Sequence, residues 1–186
     1  MHIRSKLKTM IPSLQRLIRT PYFDTYLNHL QTDNLLEALD HSASFLVDMT
    51  ESLSESEFDY RYAPGKWTIK EVVHHIIETE IIFNYRALRI AREESSQILA
   101  GFEENDYVDA SHISNFSGAE MLDYFKNIRS STKFLLKSFS GEQLQKTGTA
   151  SGKQVQVEAL FYITAGHTLH HAKVISERYL NQPPQF

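Results

Sequence analysis

Nine histidines are spread through 186 residues, and five of them fall in two short clusters, His74-His75 and His167, His170, His171. Imidazole is the side chain best suited to hold a divalent transition metal when no thiolate is at hand, and this chain contains no cysteine. His167 and His171 are four residues apart, the spacing that stacks two rings on one helix face so that both reach a single ion; His170 is the alternative partner at three. On a helical wheel of about 100° per residue, the inward face around Ile76 puts His75 about 100° from its centre and His74 about 160° away. His75 therefore flanks the core while His74 points to solvent. One imidazole from the first cluster and two from the second would make a three-nitrogen set, leaving coordination positions for water or substrate. Burying three neutral imidazoles without an ion would instead demand separate partners for each. The donor set suits zinc, nickel, iron or copper and does not choose among them.

Two further groups share this helix. Glu80 falls on the inward face, where an ionised carboxylate needs a partner. It could orient a ligand's free N–H or act as a general base, or else pair with an arginine such as Arg178. Arg86 lies on the same side as His75, where it could meet an anionic substrate.

The elements that must carry these residues are helical. Leu35, Leu36, Leu39, Ala43, Leu46, Val47 and Leu53 recur at steps of three and four, predicting a first helix from Asp33 or Asn34. A short lead-in helix is expected around Phe23, Tyr26, Leu27 and Leu30. Ala63-Pro64-Gly65 breaks the chain, and Thr68-Ile69-Lys70-Glu71 then reads as a capping box, with Trp67 and Val72 at the staple positions. This second helix should run to Glu93 or Glu94. A long polar loop through Gly101, Asn105, Asp106 and Asp109 follows, of a length often tied to function. Ser117-Gly118-Ala119-Glu120 repeats the capping box, with Phe116 and Met121 as staple, and opens a third helix on Leu122, Phe125, Ile128, Leu135 and Phe139. Alternation at Gln154-Val155-Gln156-Val157 after Ser151-Gly152 predicts a small hairpin. A last helix should run from Val157 to Leu180, with Leu160, Ile163, Thr164, His167, His170, His171 and Val174 on one inward stripe, stopped by Pro183-Pro184. The expected class is all-α, a four-helix bundle over residues 21–186 behind a basic N-terminal arm, 1–20, that carries Arg4, Lys6, Lys8, Arg16 and Arg19.

Composition narrows the function. An apolar fraction of 41% supports one core, and a net charge of −4 offers no basic footprint for nucleic acid. No stretch reaches the roughly 20 apolar residues of a membrane span, and no signal-peptide h-region is visible, so a cytoplasmic protein is expected.

Longer stretches carry a family likeness. Tyr62-Ala63-Pro64-Gly65-Lys66-Trp67-Thr68-Ile69-Lys70-Glu71 leading to His75, with Glu80 and Tyr85-Arg86-Ala87-Leu88-Arg89, resembles the DinB/YfiT-like superfamily. Gly101-Phe102-Glu103-Glu104-Asn105, Ala165-Gly166-His167-Thr168-Leu169-His170-His171 and Glu177-Arg178-Tyr179-Leu180 agree with it. Glu78 departs from the aspartate common in relatives, and Gln156 stands where a better helix cap is common. The resemblance implies an up-down-down-up four-helix bundle, usually a homodimer, with one divalent ion (Zn, Ni or Fe) held by His75, His167 and His171. It also implies either a metal-dependent hydrolase or a thiol-dependent S-transferase acting on a small molecule, the latter with a low-molecular-weight thiol as cosubstrate. The competing expectation is a non-catalytic metal-binding or dimer-scaffold protein.

Overall fold

The computed structural model describes residues 11–93 and 98–181. Four long helices form the bundle: α2 (Leu35–Thr50), α4 (Ile69–Arg92), α6 (Gly118–Lys137) and α8 (Val157–Val174). Shorter ones fill the connections: α1 (Asp24–Leu27), α3 (Glu55–Phe58), α5 (Glu104–Ala110) and α7 (Gly141–Gln145). Round the bundle the order is α2, α8, α4, α6, so α2 and α4, consecutive long helices, stand on a diagonal. The two starts predicted from capping boxes hold for that reason, and the first long helix starts where periodicity placed it. Asn34 accepts from the amides of Leu36 and Glu37, and Thr68 and Ser117 close capping boxes with Glu71 and Glu120. Ser54 with Glu57 and Ser140 with Gln143 cap α3 and α7 in the same way, two boundaries the sequence reading left unassigned.

Three expectations are corrected. The loop after α4 contains β1 (Ile98–Leu99) as well as α5, and β1 pairs in parallel with β2 (Thr147–Ala150). The expected hairpin of β2 and β3 (Lys153–Gln156) is thereby a three-stranded sheet. A two-residue strand is too short to leave a period-two signal. Residues 11–20 are no solvated arm: the 3₁₀ turn Pro12–Arg16 sets Leu14 and Leu17 three apart, and both are buried in the core. Arg16 pairs with Glu158 at 2.8 Å and Arg19 with Asp24. Gln156 explains its poor capping chemistry here: its Oε1 accepts from the amide of Ile18 and its Nε2 donates to Gln145, tying this segment to the start of α8. Arg4, Lys6 and Lys8 lie outside the described residues, as do Pro183 and Pro184.

Helix α8 is covered on nearly every side from Val157 to Leu169, rather than along the one expected stripe. Lead-in helix α1 closes its outer face. It approaches so closely that a Cβ on Gly166 would lie 2.4 Å from the carbonyl oxygen of Tyr26. Alanine gains about 1 kcal/mol over glycine in a helix, whereas forced overpacking against backbone costs about 1–3 kcal/mol. Gly166→Ala is therefore expected to lower the unfolding free energy, read as a lower urea midpoint.

The core is split into two apolar clusters, one around Leu39, Phe83, Leu160 and Phe161, the other around Leu46, Ile76, Phe125 and Ile175. A buried polar node joins all four long helices. From α6, Arg129 pairs with both carboxylate oxygens of Glu80 on α4, at 2.9 and 3.0 Å. It also donates to the carbonyl of Leu39 and the hydroxyl of Ser42 on α2, and to Thr168 on α8. Arg178, the partner suggested by sequence, is exposed at the end of the chain. None of the helices is long and apolar enough to cross a membrane among the described residues.

Candidate metal centre

His75 stands two turns into α4, and His167 and His171 lie one turn apart on α8. The direct packing of α4 on α8 brings the three rings together. His75 Nε2 is 3.1 Å from His167 Nε2, which is 3.0 Å from His171 Nε2, and the potential ligand atoms of all three lie within 4.8 Å of one another. His75 and His167 are buried; His171 keeps an edge toward solvent. Imidazole nitrogens each about 2.0–2.1 Å from one ion are spaced by about 3 Å or slightly more, which is the spacing of His167 from each of the other two. The proton count points the same way. A hydrogen bond joins one N–H to one lone pair, and three Nε2 atoms meeting at one point cannot all be satisfied by such pairs. One cation accepts all three lone pairs at once.

The surroundings keep all three rings neutral. Burial pushes the His75 pKa down to about 4, with His74 and His170 adding to the effect. His167 and His171 are held well below the ordinary imidazole value, burial again leading and neighbouring histidines adding. In the metal-free protein the sign follows directly. An unfolded imidazole protonates near 6.5 and the folded His75 only near 4, so its contribution is intact above pH 6.5 and is lost as pH falls from 6.5 toward 4. Each such group contributes a slope of about 1.4 kcal/mol per pH unit inside its window. Urea midpoints of chelator-treated protein at pH 7.5, 6 and 5 should fall steeply, and His75→Gln should flatten the trend.

His74 is a partial correction. Its ring is mostly covered rather than in solvent, with Nδ1 3.6 Å from a Glu78 oxygen, but it is not part of the trio. His170 packs on Tyr26 and His29 and likewise stays outside. Glu80 is not brought to the histidines: its oxygens are taken by Arg129 and by the Thr132 hydroxyl, and none of its hydrogen bonds among the described residues reaches an imidazole. Arg86 is brought near. It shares with His75 and His167 the wall of a cavity of about 240 Å³.

Several groups in that wall escaped the sequence reading. Tyr26 meets His167 edge-on at 5.2 Å between ring centres, and Phe83 lies between His167 and Arg86. Thr79 sits one turn beyond His75, a spacing that was legible. Ser151 and Lys153 come from the hairpin, which no local signal connects to α4. Trp67, expected only to staple the helix, also packs on the His75 ring at 5.0 Å. On the other side, His171 borders a second cavity of about 220 Å³ with Tyr62, Lys66, Trp67, Asn105 and Tyr179.

The comparisons agree with this architecture. The chain is 26% identical over 145 residues to a Halalkalibacterium halodurans protein named "Putative metal-dependent hydrolase BH0277", covering 72% of this chain and 78% of that one. The structure of YfiT from Bacillus subtilis, described as a probable metal-dependent hydrolase with an unusual four-helix bundle topology, superposes with a TM-score of 0.71 at 18% identity, over 80% of this chain and 86% of that chain. A mycothiol-dependent maleylpyruvate isomerase aligns with a TM-score of 0.62 at 14% identity, over 77% of this chain and 60% of that chain, a likeness of fold. The DinB superfamily pattern matches residues 38–175, well over half of the sequence, and the chain belongs to that superfamily.

Proposed function

We propose that this protein is a metal-dependent hydrolase of small molecules, with one divalent ion held by His75, His167 and His171. The observation that carries the reading is the convergence of three neutral imidazole rings, of which His75 and His167 line one cavity and His171 borders another. A sealed structural site uses four protein ligands, and among the described residues three converge here. When bound, the ion supplies Lewis acidity, which makes water, or a thiol, a competent nucleophile near neutral pH. The chain's own residues do the rest. Burial keeps the imidazoles neutral, Tyr26 and Trp67 pack on the His167 and His75 rings, and the aromatic wall limits water around the reacting end.

The second cavity beside His171 favours one alternative, transfer to a small thiol, since it gives a cosubstrate separate space next to the same centre. Purified metal-loaded protein should consume activated ester or amide electrophiles without any thiol. A strict requirement for an added low-molecular-weight thiol would replace hydrolysis by S-transfer, and no turnover with either, across metals, would leave a binding protein.

A further inference from the structure

Arg86 is 4% exposed, yet it has no carboxylate partner among the described residues. One nitrogen, Nη2, donates to the carbonyl of Ala100 at 2.8 Å and to the Ser151 hydroxyl at 3.0 Å. The guanidinium lies 5.7 Å from the Phe83 ring centre and 5.9 Å from that of Phe102. Aromatic faces and one carbonyl compensate a buried cation only in part. Arg86 lines the cavity shared with His75 and His167. One more feature of that cavity calls for a polar ligand: the Thr79 hydroxyl is buried without a hydrogen-bond partner. Ser151, at φ +50°, is the first residue of the two-residue turn between β2 and β3, where such a turn requires positive φ, and its hydroxyl is the one that holds Arg86. Lys153 adds a second positive charge to the wall, against the single carboxylate of Glu104. The rest is largely aromatic or aliphatic, including Phe23, Tyr26, Phe83 and Phe102.

We infer that this cavity takes a small organic carboxylate with an apolar body, its anion held by Arg86 and its other end lying against the His75 and His167 rings. The inference deepens the metal-dependent reading and names its substrate class. The anion site itself needs no metal. Phosphate is the poorer match, since one guanidinium edge and one exposed lysine provide few donors for a dianion.

Calorimetric titration of the whole protein tests it, with 3-phenylpropionate, its neutral amide and phenyl phosphate as probes, in metal-loaded and chelator-treated samples. The carboxylate should bind at least about tenfold more tightly than the amide in both samples, and Arg86→Gln should abolish that preference. Ser151→Gly relieves the backbone and removes the hydroxyl; it should keep or raise the melting temperature while reducing the preference severalfold. Should Arg86→Gln fail to fold, Ser151→Gly decides alone. A preference that survives the available variants overturns the assignment, as does one seen only with metal, which would put the anion on the ion. Tighter phosphate than carboxylate also overturns it. If no metal binds yet the Arg86-dependent preference persists, the metal reading fails and the anion site stands.

Discussion

His167→Ala is expected to leave the purified protein with less than about a tenth of stoichiometric metal, while His74→Ala, one position from a ligand in sequence, retains it in full. Metal content by mass spectrometry of extensively dialysed protein reads both. Loss of a group that merely orients a metal ligand weakens binding by about 10- to 100-fold, so deletion of a ligand sets a larger expected effect. His167 is the strongest single test because its Nε2 is the one in close contact with both others. Its removal should not unfold the protein, since a buried neutral imidazole loses its ring without stranding a charge. Full metal in the His167→Ala protein would refute the three-histidine centre outright.

Arg129→Met is expected to destabilise the fold by about 3–5 kcal/mol, because it strands the Glu80 carboxylate in a site where that residue is 1% exposed. The ion pair itself contributes far less than this, since the desolvation of two buried charges offsets most of their attraction. Neutralising both partners therefore separates the two terms: Glu80→Gln with Arg129→Met should recover part of the loss, as measured by urea unfolding in a double-mutant cycle. Glu80→Gln alone should keep full metal, which a carboxylate serving to orient the ligands would not allow. Single variants that each cost under about 1 kcal/mol would show that the four-helix node is not a stabilising constraint.

The two experiments address different levels of one design. Arg129 and Glu80 fix the four long helices around a polar centre, and the histidines on α4 and α8 inherit their positions from that packing. A metal-content assay on Arg129→Met, run below its unfolding transition, would show how far the imidazole cluster depends on it.

What the amino-acid order settled by itself is what local physics settles. Capping boxes at Thr68 and Ser117 define helix starts through hydrogen bonds within four residues. Periodicity marks the faces of α2, α4 and α6, and the i,i+4 spacing of His167 and His171 stacks their rings whatever the rest of the chain does. The angular position of His75 was also local, whereas the choice of His171 over the i,i+3 alternative His170 rested on the family resemblance, and the structure brings His75, His167 and His171 together. Tertiary structure alone decided the partner of Glu80, because Arg129 is 49 residues away and nothing nearby in sequence selects it over Arg178. It likewise decided that Ser151 and Ala100 hold Arg86, that β1 joins a hairpin some 50 residues later, and that Leu14 and Leu17 are core. Such contacts depend on where whole helices and strands come to rest, and that is governed by the summed burial of many side chains rather than by any short pattern.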